Sequence, residues 1–470
     1  MKKDTKIYVI FSIKGTQPSS QTYSLHHPDE KVFTNEEILQ EIKKLCTGVE
    51  FLGKTEPENL EYTIGNIQGQ KEDLDGVLYF GHLPDELLSL NLPIIAVHPL
   101  WGRWQYPYNS YKEYKVLTAC LPIIPDISAP VFKNRLKKIS KGIKLIQSIA
   151  KIKGLRILII TDKPILGEYE PTELQVKKEG RQKYEEKYIK NLSEMGVKII
   201  VRPQEEMVKR MKSADSKLSK EITKKWIEKA EGVKGTNEKE IEKSAKLYLA
   251  MKEMMKEYDA NAITTEGYGI FMNYKDGPIP SQGLPSSQFC TDGIVATSET
   301  LVDSLITQQF GLFITKSTGF NGDYVIDEDN NIVFIGHCEC PFNPYGDDRK
   351  VPYVIRNLPQ YPVEEQEKGG ACVQVNLPSN EVVTVAKFSV HDKKMSLFTG
   401  KTVSGDKLFP GFEDILCRTK LAIEVDAKKL LKRVDWQTFG VHRVAFFGNY
   451  RQEFKDLAKL LGFEVIEKDK

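Results

Sequence analysis

Short apolar runs alternate with helical stripes through the first 270 residues or so, and a series of strand-like segments follows. KIYVIFSI (6–13), GVLYFGH (76–82) and LPIIAVHP (92–99) are apolar and bounded by turn residues, as buried parallel strands are. Between them, NEEILQEIKKLC (35–46) sets Ile38, Leu39, Ile42 and Leu45 on one helical stripe, with Thr34 placed to cap it. A longer helix is expected over 131–152. A second series then opens, with strands GLRILIITD (154–162), VKIIVRP (197–203) and NAITTEGYG (261–269). Its helices are a charged one over 172–196 and a Lys/Glu-rich stretch over 205–258, broken at GVKGTN. After residue 275 the character changes. A Gly/Pro/Ser segment, DGPIPSQGLPSSQ, leads to one helix over 299–310. DYVID, NIVFIGHC, GACVQVNLP, EVVTVAKFSV, LAIEVD and HRVAFFGNY then read as strands, before a helix, RQEFKDLAKLLG, and a last strand, FEVIEKD. The expected class is α/β: two Rossmann-like α/β domains, 1–152 and 153–285, followed by a β-rich, barrel-like C-terminal domain, 286–470.

A chain of 470 residues exceeds what one core usually holds, which agrees with several domains. With 67 basic and 65 acidic residues there is no charge excess to attract nucleic acid or a membrane surface, so neither is expected as a partner. The N-terminal apolar run stops at Lys14, too soon for a signal-peptide core, and no run approaches the ~20 apolar residues of a membrane span. Seven scattered cysteines do not suggest a disulfide framework, so a reducing cytoplasm is expected. No GxxxxGK[ST] and no GxGxxG after a strand is present, so no nucleotide fingerprint directs the reading.

The chemistry concentrates near IGHCECP (335–341), where an apolar strand ends in His337, two thiols and Glu339. Asp329-Asn330-Asn331 is a strong turn signal between YVID and IVFI. A three-residue loop there sets Asp323 beside His337 on one sheet face; a four-residue loop puts them on opposite faces. By alternation Glu339 shares the face of His337, while Cys338 and Cys340 point away as small buried hydrophobes. In ATSETLVDSLITQQF, a helix capped by Thr297 or Ser298 would hold Glu299 in its first turn. The residues alone leave plainer readings open: a polar surface hairpin, and an acid placed to suit the helix dipole. His82 and His98 end strands as structural residues, and His391 in FSVHDKK is solvent-facing, with a fallback role as a ligand. Glu266 ends a strand where it could face a cleft.

From about residue 285 onward the chain resembles the C-terminal half of the L-fucose isomerase and L-arabinose isomerase superfamily. ATSETL with Glu299, GFNGDYV with Asp323, IGHCECP with His337 and FGVHRVAFFGNY with His442 follow the family's order and separations. FSIKGTQPSS resembles the family's first strand and loop, where Gln17 matches a sugar-holding glutamine. Two positions depart from the arabinose branch: Gly322 stands where it has Glu, and His442-Arg443 where it often has two histidines. The fucose branch uses Asp at the second acidic position, as here.

The resemblance implies a metal-dependent aldose–ketose isomerase that works through an ene-diol. It implies Mn²⁺, or another divalent ion, on Glu299, Asp323, His337 and His442. Glu299 and Asp323 would also be the catalytic acid–base pair, and Glu339 would orient His337 from behind. Gln17, and Trp101 and Arg103 in the aromatic loop HPLWGRWQYPY, would contact the sugar, that loop reaching a neighbouring subunit. A homo-oligomer (trimer, tetramer or hexamer) is implied as well. Two alternatives stay open: the same site acting on a phosphorylated or sulfonated sugar, and a non-catalytic sugar-binding or regulatory protein.

Overall fold

A computed structural model describes residues 4–12, 34–53, 60–99, 111–121, 129–163, 165, 180–266, 279–346, 349–359, 370–405, 411, 414 and 416–470. Two compact units divide it: Met1–Lys151 with Gln452–Glu464, and Ile152–Arg451 with Val465–Lys470. The first break falls between Lys151 and Ile152. The boundary expected after 285 lies inside the second unit, and the C-terminal helix belongs with the first.

The first unit is built on a five-stranded parallel sheet. Its strands are β1 (Thr5–Phe11), β2 (Val49–Leu52), β3 (Gly76–Phe80), β4 (Ile94–Pro99) and β5 (Val116–Leu121), in the order β2-β1-β3-β4-β5. β3 is buried at every position, as a strand covered on both faces must be. The helix Asn35–Leu45 starts with a full capping box: the Glu37 amide donates to Thr34 Oγ1 at 3.2 Å, and the Thr34 amide donates to Glu37 Oε2 at 2.8 Å.

The second unit opens with β6 (Arg156–Ile160), β7 (Lys198–Arg202), β8 (Gly232–Lys234), β9 (Ala262–Thr265) and β10 (Ala296–Thr297). Four of these form a parallel sheet in the order β10-β9-β6-β7. The Lys/Glu-rich stretch is three helices, Gln204–Lys212, Ser216–Lys229 and Glu238–Glu257. The last is the best buried: Met251 and Met254 are inaccessible and join the core of the unit.

The β-rich part contains β11 (Phe320–Asp327), β12 (Ile332–His337), β13 (Tyr353–Arg356), β14 (Cys372–Val375), β15 (Val382–Ser389), β16 (Lys394–Val403), β17 (Thr419–Glu424), β18 (His442–Phe447) and β19 (Glu464–Glu467). Six of them run β15-β18-β11-β12-β17-β16, and β16 pairs back to β15, so an antiparallel barrel closes. Closure removes the free edges that an open antiparallel sheet must protect. β19 adds to β16 outside the ring, while β8, β13 and β14 form a separate small sheet. The helix Val302–Thr315 packs on the barrel, with Phe310 and Phe388 ring centroids 5.2 Å apart. Gly311 permits this approach, because a Cβ there would lie 1.9 Å from the Phe446 ring.

The β11–β12 hairpin differs from expectation. Asp327 pairs with Ile332 and Asp323 with Gly336, so the loop is the four residues 328–331 and the register moves by one. The Asp327 carboxylate accepts from the Asn330 amide at 3.1 Å and from Asn330 Nδ2 at 2.8 Å, which stabilises the longer turn. Asn331 closes it with φ 55°, a left-handed conformation that Asn tolerates. Asn331→Val is expected to cost about 1–2 kcal/mol in urea denaturation, and Asn331→Gly almost nothing. Equal effects of the two would show that the turn does not need this conformation.

Candidate metal centre

Four segments of the second unit converge: the loop after β10, the middle of β11, the end of β12 and the start of β18. The helix expected to begin at Thr297 or Ser298 begins at Val302 instead, because Ala296 and Thr297 pair with β9 and extend the parallel sheet. Glu299 therefore sits on a connecting turn and not in a helix. Both Glu299 and Thr300 are left-handed, at φ 63° and 54°. Each such residue costs ~1–2 kcal/mol, so the turn must be held from outside. It is held on both sides. The Ser298 amide donates to Glu339 Oε1 at 3.1 Å, and the Thr300 amide donates to the Thr265 carbonyl at 2.8 Å.

The turn carries Glu299 between two buried imidazoles. Glu299 Oε1 lies 3.8 Å from His337 Nε2, and Glu299 Oε2 lies 3.7 Å from His442 Nε2. The two imidazole centroids are 5.6 Å apart. One ligand atom from each of Glu299, His337 and His442 lies within 4.8 Å of the other two, and this group can hold a metal ion. Asp323 is opposite His442 in the β11–β18 ladder, and its Oδ1 lies 3.4 Å from His442 Nε2. Asp323 thus reaches the centre through His442. The expected pairing of Asp323 with His337 is not present; Gly336 takes that place because of the longer turn.

Burial divides the centre into a closed and an open side. The side chains of His337, His442 and Glu339 are 8%, 2% and 7% exposed; those of Glu299 and Asp323 are 29% and 49% exposed. Burial, with the charge of His442 adding to it, holds the His337 imidazole down to about 3, so the ring is neutral and can act as a ligand. Glu339 lies behind it, with Oε1 3.7 Å from His337 Nδ1. Burial pushes the Glu339 carboxyl up to about 7, and the charge of Glu299 adds to this while the Ser298 amide opposes it.

The residues suit a bound cation. His337 Nδ1 is buried without a hydrogen-bond partner among the described residues. Such an atom ordinarily costs about 1–3 kcal/mol. A cation on the far side of His337 would draw Nδ1–H toward Glu339, the usual arrangement behind a ligating histidine. A mixed imidazole and carboxylate set suits many divalent ions and does not choose among them.

The other expected residues separate into three groups. Gln17, Trp101 and Arg103 lie outside the described residues. Cys338 and Cys340 are buried and take no part in the ligand group. The Cys338 thiol is held well above its usual range by Cys372 beside it, and the Cys340 thiol by burial, so neither is a thiolate. His391 is not solvent-facing: it is buried, stacked on Tyr184 at 3.9 Å, with Nδ1 3.1 Å from Asp392 Oδ1. His98 is buried in the first unit. Glu266 is held by Thr161 Oγ1 at 3.2 Å and Lys163 Nζ at 2.6 Å. Ser298 and Thr265, whose backbone groups fix the Glu299 turn, carry no sequence signal, since any residue supplies an amide or a carbonyl.

Compared with known proteins, the chain matches no family model and no curated protein. Among the described residues no helix is long and apolar enough to cross a membrane.

Proposed function

We propose that the protein is a metal-dependent aldose–ketose isomerase of the L-fucose/L-arabinose isomerase type. One observation carries this reading. Glu299, Asp323, His337 and His442 come from four motifs spread over 144 positions, and their side chains meet, with the two carboxylates more exposed than the two imidazoles. A sugar-binding protein has no need for two carboxylates set against two buried imidazoles.

Isomerisation takes a proton from the carbon bearing a hydroxyl and returns one to its neighbour, the former carbonyl carbon. The two groups on the open side, Glu299 and Asp323, are the acid–base pair. The imidazoles of His337 and His442, with the two carboxylates, would hold Mn²⁺. When bound, the ion polarises the substrate carbonyl and hydroxyl oxygens. Glu339 holds the tautomer and orientation of His337. The turn at Glu299 fixes that carboxylate before substrate arrives, so its placement costs nothing during the reaction. The same reading assigns Gln17, Trp101 and Arg103 to the sugar and a homo-oligomer to the protein, both on the family resemblance, and a cytoplasmic setting on the scattered cysteines.

The test is ketose formation from a panel of aldopentoses and 6-deoxyhexoses, with metal-stripped protein and with Mn²⁺ restored. Turnover that returns only with metal is expected. Mn²⁺-loaded protein that converts no aldose in the panel would count against the isomerase reading.

A further inference from the structure

A cavity of about 840 Å³ is lined by residues of the first unit, and the metal centre by residues of the second. The edge strand β5, the helix Pro130–Ile152 and the helix Arg451–Leu461 enclose it. Its volume is that of a site for a small organic ligand. Ile95, Leu117 and Leu145 give it an apolar lining. Its polar side is unequal in charge: Arg135, Lys138, Lys141 and Lys459 face only Glu453 and Asp456.

The partners of these groups are unequal too. Lys141 pairs with Glu453 at 3.2 Å, and Asp456 accepts from Gln452 Nε2 at 2.8 Å. Arg135 and Lys138, one helical turn apart, make no ion pair or hydrogen bond to a described residue, although the charge of Lys138 acts on Asp456. Burial holds the Lys459 ammonium below its ordinary range; the charge of Asp456 opposes this and that of Lys112 adds to it. A cation desolvated beside other cations is relieved by an anion. A guanidinium next to an ammonium suits phosphate, because the planar fork binds two oxygens at once. The apolar lining suits a flat or hydrophobic body and gives a polyhydroxylated sugar little to bond to.

We propose that this cavity binds a phosphorylated small molecule with an apolar body, of the mononucleotide class, with its phosphate on Arg135 and Lys138. The body lies against Ile95, Leu117 and Leu145, and Gln452 offers its amide to a polar edge.

Calorimetric titration of the full chain with AMP, adenosine and inorganic phosphate tests this. AMP is expected to bind about tenfold or more tighter than either fragment, since both halves contribute. The double variant Arg135→Ala/Lys138→Ala is expected to lose about 100-fold in AMP affinity through two charge-assisted contacts. Both positions lie on a helix that accepts Ala, and an unchanged melting temperature would confirm that the variant is folded. Lys144→Ala, exposed on the same helix and not part of the cavity lining, should bind AMP like the wild type. Three outcomes would overturn the proposal: no AMP binding by the wild type, equal affinity in the folded double variant, or phosphate alone binding as tightly as AMP. None of them bears on the metal centre, which uses other residues in the other unit.

Discussion

Replacing Glu299 by glutamine is expected to lower Mn²⁺ affinity by about 100-fold or more and to reduce isomerase turnover by about 10²–10⁴-fold. The first figure follows from what surrounds the residue. Groups that only orient a ligand usually cost 10–100-fold when lost, and Glu299 is itself the carboxylate between the two imidazoles. The second follows from its proposed role as one half of the acid–base pair. Glutamine keeps the shape and length of the side chain, and the two amide contacts that hold the turn come from Ser298 and Thr300, not from the carboxylate. The fold should therefore survive, and calorimetry on the metal-free protein reads the binding loss directly. Glu339→Gln is the useful comparison. It should lose about 10–100-fold in Mn²⁺ affinity, because Glu339 acts through His337 and through the Ser298 amide. If Glu299→Gln binds Mn²⁺ as well as the wild type does, the ligand assignment is wrong.

Arg443→Met is expected to destabilise the protein by about 3 kcal/mol or more and to weaken metal binding at the same time. Arg443 is 2% exposed. Its Nη1 donates to the carbonyls of Phe439, Gly440 and His442 at 2.9, 2.8 and 2.7 Å. The guanidinium carbon lies 5.0 Å from the centre of the Tyr324 ring, 5.7 Å from that of Phe439 and 5.8 Å from that of Trp436. Aromatic faces and carbonyl oxygens both help to compensate the buried cation. Methionine fills much of the volume but leaves the carbonyls bare, at about 1–3 kcal/mol for each that finds no water. One of those carbonyls belongs to His442, so its backbone loses an anchor at the start of β18. A shift in the urea midpoint, read beside Mn²⁺ affinity, checks both parts. A stable variant with intact metal binding would mean that the guanidinium contributes nothing net and that β18 holds His442 unaided.

Much of the architecture was legible in the chain because buried elements write strong patterns. The mostly apolar runs of β1, β3, β4 and β6 are largely buried and tolerate little else. The amphipathic helices Asn35–Leu45 and Arg451–Leu461 show one apolar stripe each. Weaker patterns escaped. β5, VLTACL, is an edge strand with Thr118 half-buried, and β16, KMSLFTGKTV, is diluted by Lys, Thr and Gly. The helix Gly283–Thr291 is hidden in a Gly/Pro/Ser segment, yet it is almost wholly buried and Ser287 Oγ accepts from the Cys340 amide at 2.9 Å.

The sequence by itself determined the two parallel-sheet cores, the β-rich C-terminal part and the identity of the residues that could make a site: two exposed-type acids, two histidines and Glu339. These follow from short-range periodicity and from residue chemistry, which travel with the chain. Only the tertiary structure decided how those residues meet. Thr297 is a good cap, yet pairing with β9 draws it into a strand and leaves Glu299 on a left-handed turn. Either hairpin length suits DEDNN, yet the Asp327–Asn330 bonds select four residues and turn Asp323 from His337 to His442. Both choices rest on hydrogen bonds between groups that local pattern cannot rank, so a change of one residue in register reassigns a neighbour without altering any motif.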